Sequence, residues 1–365
     1  MTKKCKELGG CREWMGAQVG LSLVELMIAL ALSTTLILGI FTVYLDSSKT
    51  TRVSSSLARI QESGRVGLEI MARDLRMVGF QGCADPSSVT MNIIADNPPT
   101  GSFFDTTLRG WEVNNASWAA GTEYDGTTIE SNAVIGSDVV AVQRGETIDV
   151  QITGNMNGTN ANIQVEGNDI TTFDQNDAVL ISDCENADLF RISSNPDSGT
   201  WAHAQNVNSS NRLSQAYNES ATIMRFSSTV YFVAETGRLD SRGNPIRALY
   251  RGTNNLLNQA TTTFQIDELV EGVESLQVEY GESVGVSNIR YRSADAVTNM
   301  TGVVSVRVGF LISDADSVRD TVDTSNYDLP AELITPAGGA GAVTHPQDER
   351  LRRTFVSTVQ LRNRD

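Results

Sequence analysis

From Leu21 to Leu45 the chain is apolar at most positions, and a single ionised residue, Glu25, interrupts the run. As a helix these residues would extend roughly 37 Å at about 1.5 Å per residue, enough to cross a hydrocarbon core of about 30 Å once. Beyond the run, Val53, Leu57, Ile60, Gly64, Leu68, Met71, Leu75 and Val78 recur at spacings of three and four. That period predicts a helix with one apolar stripe. Ser47, Lys49, Arg52, Arg59, Glu62, Arg65, Arg73 and Arg76 fill much of the remaining surface. No proline precedes Pro86, so one helix from about Leu21 to Gly79, roughly 88 Å long, meets no strong breaker. Gly39 and the Ser33-Thr34-Thr35 cluster are soft points in this helix or, the favoured reading, small positions that pack against a neighbouring membrane helix.

After Gly82 the helical period gives way to short alternating runs separated by Asn, Gly, Asp and Ser. Strands are expected at 138–143, 147–152, 162–166, 178–181, 189–192, 222–233, 249–251, 275–280 and 288–292. The clearest pattern is 303–313, where Val304, Val306, Val308, Phe310 and Ile312 alternate with Ser305, Arg307 and Gly309. The segment 351–361 places Leu351, Phe355, Val359 and Leu361 on one side, as a closing strand would. Segments 81–133, 194–220 and 314–348 read as long loops. Together these patterns predict an α+β fold, a long N-terminal helix against a mostly antiparallel β domain, with room for two sub-sheets.

The residues before the apolar run carry a basic excess, which keeps that end in the cytoplasm and sends the rest across the membrane. A secretory signal would show a shorter apolar region and a small-residue cleavage site at its far end. Here Leu45 is followed by Asp46-Ser47-Ser48-Lys49, so the helix is expected to be retained. An uncleaved signal anchor with an incidental Glu25 is the alternative. A carboxylate inside an apolar span costs about 2.5–3.5 kcal/mol near a helix centre, which argues that Glu25 has a use.

Gly20-Leu21-Ser22-Leu23-Val24-Glu25-Leu26 resembles the class III signal of type IV pilin-like proteins. The resemblance implies that a prepilin peptidase cuts after Gly20 and methylates Leu21, and that Glu25 serves in assembly. Most members of that family have Phe where this chain has Leu21, a departure that bears on processing efficiency. Removal of residues 1–20 takes away four basic and two acidic residues, leaving 24 against 42, so the net charge moves from −16 to near −18. Such a field repels nucleic-acid phosphates and anionic lipid, and nucleic acid is not expected as a ligand.

Cys5 and Cys11 fall in the leader, and Cys83 and Cys184 in the exported part. In an oxidising compartment a Cys83–Cys184 disulfide is the expected pairing, with two buried free thiols as the alternative. Closing a loop of about 100 residues contributes up to roughly 4–5 kcal/mol in the chain-entropy picture.

Within the β region, Phe80-Gln81-Gly82-Cys83-Ala84, Leu180 through Cys184, Val270 through Gly281, Ala294-Asp295-Ala296-Val297 and Arg350 through Phe355 are together similar to the PilW family of minor pilins. That family is related to the J pseudopilins of type II secretion, which stand as the alternative. The resemblance implies a non-enzymatic subunit, anchored in the inner membrane with its globular domain in the periplasm, that helps initiate type IV pilus assembly. It then sits at or near the fibre tip. The implied partners are other minor pilins, the major pilin, the prepilin peptidase, the assembly platform, a large tip adhesin and inner-membrane lipid. Glu25 would meet a neighbouring subunit's terminal amine, or the amine of Leu21 in its own chain.

Candidate chemistry changes this picture little. Gly281-Glu282-Ser283-Val284-Gly285 satisfies G-x-S-x-G, and Asp314 or Asp316 followed by His345 gives a Ser-Asp-His order. A nucleophile elbow needs a helix after the serine, whereas Val286 to Tyr291 reads as a strand, so an anchored hydrolase is the distant alternative. His203 has no second histidine or cysteine at metal spacing. Asp314, Asp316, Asp320 and Asp323 offer oxygens to calcium, but Val318 stands where an EF-hand needs a ligand and no glycine follows it; a solvated acidic loop fits better. Trp111, Trp118 and Trp201 suit either adhesive contacts or pins between loop and core. Gly338-Gly339-Ala340-Gly341 lacks the Lys-Ser/Thr of a phosphate loop and reads as a linker. No cofactor or metal is expected.

Overall fold

The computed structural model describes residues 20, 22–84, 88–96, 107–122, 124–254, 264–285, 288–339 and 341–363. One helix, α1 (Leu23–Arg76), runs through 54 residues. Its end lies three residues short of the Gly79 expected from the apolar period. The last turns tighten, with Met77 N–H donating to the Asp74 carbonyl, and Gly79 adopts φ +71°, which ends the helix.

The chain then forms β1 (Asn92–Ile93), β2 (Leu108–Trp111), the short helix α2 (Thr128–Asn132), β3 (Val139–Ile152), β4 (Ile163–Glu166), β5 (Ala178–Ser182), β6 (Ala187–Arg191) and β7 (Thr200–Trp201). There follow β8 (Thr222–Leu239), β9 (Pro245–Asn254), β10 (Gln265–Glu271), β11 (Val273–Ser283), β12 (Ile289–Arg292) and β13 (Val303–Ser317). The last strands are β14 (Tyr327–Leu329), β15 (Glu332–Pro336), β16 (Thr344–His345) and β17 (Arg350–Gln360). β1 to β10 form one ten-stranded sheet centred on β3 and β8. β12, β11, β13 and β17 lie side by side in that order as a second sheet, and β14 to β16 make a third. Pairing is antiparallel except for β1 with β6 and β15 with β16. The fold is α+β, as the sequence predicts.

Residues from Val53 onward form one compact unit. Within it Ile60, Met71, Ala72 and Leu75 of α1 share a core with residues of both larger sheets, among them Tyr231, Leu249, Leu276, Val306, Val308 and Phe310. Gly64 and Gly67 are where the helix comes closest, under Phe355 and Phe310. Of the expected stripe Ile60, Gly64, Met71, Leu75 and Val78 are buried while Val53, Leu57 and Leu68 are half-buried, and Ser56, Gly67, Ala72 and Asp74 join the buried set. Asp74 is admitted because Arg144 pairs with it at 2.7 Å and the Tyr231 hydroxyl donates to it.

On β13 the core-facing set is Val303, Val306, Val308, Phe310 and Ile312. Val304 is only half-buried because the register with β11 slips between Gly281 and Glu282, so the pleat reverses and Val303 takes the inner place. Gly272 links the two larger sheets. Its φ is +88°, a Cβ there would stand 2.2 Å from the Ser313 carbonyl oxygen, and its N–H donates to Arg247 of β9 while its carbonyl accepts from Ser313 of β13. The segments expected as loops at 81–133, 194–220 and 314–348 contain β1, β2, α2, β7 and β14 to β16. All are short, below the length at which period can be read.

Candidate functional site

The start of α1 is built from Ser22 and Glu25. Ser22 N–H donates to Glu25 Oε2 at 3.0 Å, and Glu25 N–H donates to Ser22 Oγ at 3.2 Å. This reciprocal pair is a capping box, which satisfies two amides that the helix would otherwise leave open. Sequence reasoning gave Glu25 an assembly role and missed this local one, although S-x-x-E before an apolar run signals it. Gly20 is exposed, with no atom near where a Cβ would lie. Leu21, the residue expected to become methylated, lies outside the described residues, as does the leader up to residue 19.

Along the same helix the large apolar side chains from Leu23 to Leu45 are between 51 % and 75 % exposed. The most apolar window has mean hydropathy 2.3 and no buried residue. Its threonine hydroxyls are turned back on the helix: Thr34 donates to the Leu30 carbonyl at 2.8 Å, Thr35 to Leu32 at 2.8 Å and Thr42 to Gly39 at 2.9 Å. A segment whose threonine hydroxyls are satisfied internally and whose apolar groups are uncovered suits hydrocarbon or other apolar helices.

A second polar concentration lies under β17. Arg352 is fully buried, donates to both carboxylate oxygens of Glu274 at 2.7 and 3.0 Å, and pairs with Asp348 at 2.8 Å and Asp323 at 3.4 Å. Arg350, nearly as buried, reaches Asp240 at 2.7 Å. Burial works against ionising Asp240, yet hydrogen bonds from Asn244 and Arg350 hold its carboxyl well below the usual range. The expected acidic loop is therefore organised by arginines. Asp323 lies against Arg319, Arg352 and the Tyr327 hydroxyl, while Asp314 and Asp316 both accept from Arg59 of α1. Among the described residues no three His, Cys, Asp or Glu side chains are grouped to hold a metal ion.

The hydrolase motif residues have other occupations. Ser283 ends β11, its hydroxyl faces the Gly285 carbonyl at 3.4 Å, and the next element is the strand β12. His345 is buried with its ring nitrogens 2.8 Å from the Ser325 carbonyl and 2.9 Å from that of Pro346. His203 Nε2 faces the Ala161 carbonyl at 3.1 Å. Trp201 is wholly buried and donates to the Pro196 carbonyl, and Trp118 donates to that of Glu130 beside Trp111 and Tyr124. These rings pin loops to their own core. Cys83, just after α1, and Cys184, in the β5–β6 turn, form a disulfide with Cα atoms 4.6 Å apart.

Residues 230–363, which include the whole second sheet with Arg350 and Arg352, match the family model PilW, described as type IV pilus-assembly protein W. Over those residues the chain is similar to the PilW family. No curated protein and no solved structure matches the chain. A PilW protein has a role in type IV pilus assembly and works with other pilus or assembly proteins. With that family, the apolar N-terminal helix and the β domain fit a membrane-anchored protein with a globular part.

Proposed function

We propose that this chain is a minor pilin that helps initiate type IV pilus assembly and remains at or near the fibre tip, with its β domain in the periplasm before export. The observation that carries the reading is the PilW match across the second sheet in a chain whose N-terminal helix begins with an apolar, uncovered stretch. In this reading the prepilin peptidase cleaves after Gly20 and methylates Leu21. Glu25 then works twice. Its Oε2 caps its own helix through Ser22, and Oε1, which has no hydrogen-bond partner among the described residues, accepts the terminal amine of a neighbouring subunit in the membrane. A charge pair in a low-dielectric setting sets the axial register between two helices, because displacement leaves both charges unpaired.

The test is the intact mass and N-terminal sequence of the protein from membranes of cells with and without the peptidase. A start at N-methylated Leu21 only when the peptidase is present supports the reading. A start at Met1 in both, or cleavage beyond Leu45, overturns it. Glu25→Gln is expected to leave processing intact while reducing incorporation into fibres.

A further inference from the structure

The second sheet ends on β17, which among the described residues pairs with β13 alone. Its hydrogen-bond phase follows from the register. Leu361 N–H donates to the Val304 carbonyl, and Gln360 lies opposite Ser305 and Val359 opposite Val306, with no slip back to Arg352. In an antiparallel ladder the bonded positions alternate, so 353, 355, 357 and 359 turn their backbone groups toward β13. Thr354, Val356 and Thr358 turn theirs outward. All three are exposed, Val356 by 50 %, and no described residue bonds to their outward amides or carbonyls. Folded proteins blunt such an edge with a bulge, an inward charge or a cover. Between Thr354 and Val359 this edge has β-branched residues and no bulge.

The charge beside the edge identifies what would cover it. Arg76, at the end of α1, and Arg362 line an open cleft of about 460 Å³ together with Thr358, Val359 and Gln360. Arg353 lies at the other end of the same edge. All three arginines are exposed and form no ion pair among the described residues, in a chain with 44 acidic and 28 basic residues. The exposed acids of β10 differ in this respect: Glu268 and Glu271 pair with Arg238, and Asp267 pairs with Arg251. Unpaired cations beside an open ladder complement an anionic strand.

We propose that the outer edge of β17 takes up an extended acidic segment of a partner protein as a fifth strand of the second sheet. Backbone bonds at Thr354, Val356 and Thr358 supply the ladder, and Arg76, Arg353 and Arg362 select carboxylates. The net charge of −16 opposes a second copy as the occupant. The edge is open whichever fibre the chain serves, so the outcome here is independent of the peptidase result.

The experiment uses the full chain in detergent micelles and a labelled peptide of alternating valine and glutamate, with a valine–lysine peptide as control. Binding is read by fluorescence anisotropy and by hydrogen exchange of the segment 353–360. The expected result is saturable binding of the glutamate peptide and about tenfold slower exchange in that segment, with no binding of the lysine peptide. Val356→Pro removes one outward N–H without touching a β13 bond and should weaken binding at least tenfold. Arg76→Glu with Arg362→Glu should do the same while leaving the strand intact. The proposal is overturned by equal binding of both peptides, by undiminished binding to Val356→Pro, or by no binding up to about 1 mM. Slow exchange that grows with protein concentration and needs no peptide would assign the edge to a second copy, and also overturns it.

Discussion

Gly64 of α1 faces the ring of Phe355 on β17 so closely that a Cβ on residue 64 would stand 2.6 Å from the ring carbons. Alanine normally gains about 1 kcal/mol over glycine inside a helix. Here the added methyl must displace an aromatic ring or the helix itself, and overpacking costs about 1–3 kcal/mol. Gly64→Ala is therefore expected to lower the unfolding free energy. Combining it with Phe355→Leu should return most of the loss. Thermal and denaturant unfolding of the single and double variants measures this, and equal losses in both would show that the ring is not the obstacle.

The disulfide between Cys83 and Cys184 closes a loop with a sequence separation of 101. Cys83→Ser with Cys184→Ser is expected to cost about 4–5 kcal/mol in the chain-entropy picture. Guanidinium unfolding of the wild type with and without reductant should reproduce the difference, and the double variant should ignore reductant.

Asp177 gives the fold a pH dependence. Burial, with the Asp174 charge nearby, pushes its carboxyl up to about 6, although the Asp174 N–H, which donates to it, and the charges of Arg225 and Arg191 oppose the shift. The folded protein thus keeps a proton that the unfolded chain releases near 3.9. The contribution is fully present below about pH 4 and is lost as pH rises through 6, amounting to about 3 kcal/mol. Asp177→Asn should flatten this part of the stability profile between pH 4 and 7. An unchanged slope in the variant would place its origin elsewhere.

Arg352 is surrounded by Glu274, Asp323 and Asp348 with none of its side chain exposed. Truncating one partner of a buried ion cluster leaves the others uncompensated, at a cost of about 3–5 kcal/mol. Arg352→Ala should be severely destabilised. Arg352→Lys should fall between, because an ammonium keeps the charge but cannot hold both oxygens of Glu274 in the same fork. Denaturant midpoints of the three proteins rank the effects.

Long, strongly periodic elements were legible in the sequence. The stripe Ile60, Gly64, Met71, Leu75 and Val78 is buried. Most strands expected from alternation occur, and some are longer: 138–143 and 147–152 are parts of one strand, Val139–Ile152. Three kinds of feature escaped. Val303 was hidden because a bulge reverses the pleat and no local residue announces it. β10 escaped because Asp267, Glu268 and Glu271 break the apolar pattern, and arginines distant in sequence make those acids acceptable. The burial of Arg350 and Arg352 had no local signal, since the acids that surround them come from residues 240, 274, 323 and 348. At the helix start the signal was present in Ser22 and Glu25 and was outweighed by the question of why a carboxylate stands in an apolar run.

The cysteine bridge also determines how the chain carries a load. A pull transmitted between α1 and the C-terminal strand follows the covalent path, and at Cys83 that path jumps to Cys184. Residues 84–183, with β1 to β5, lie on a closed side loop and bear no tension. Under traction this part of the molecule cannot be drawn out to full length. The stretch that does bear the load begins again just before β6, and it contains the entire second sheet.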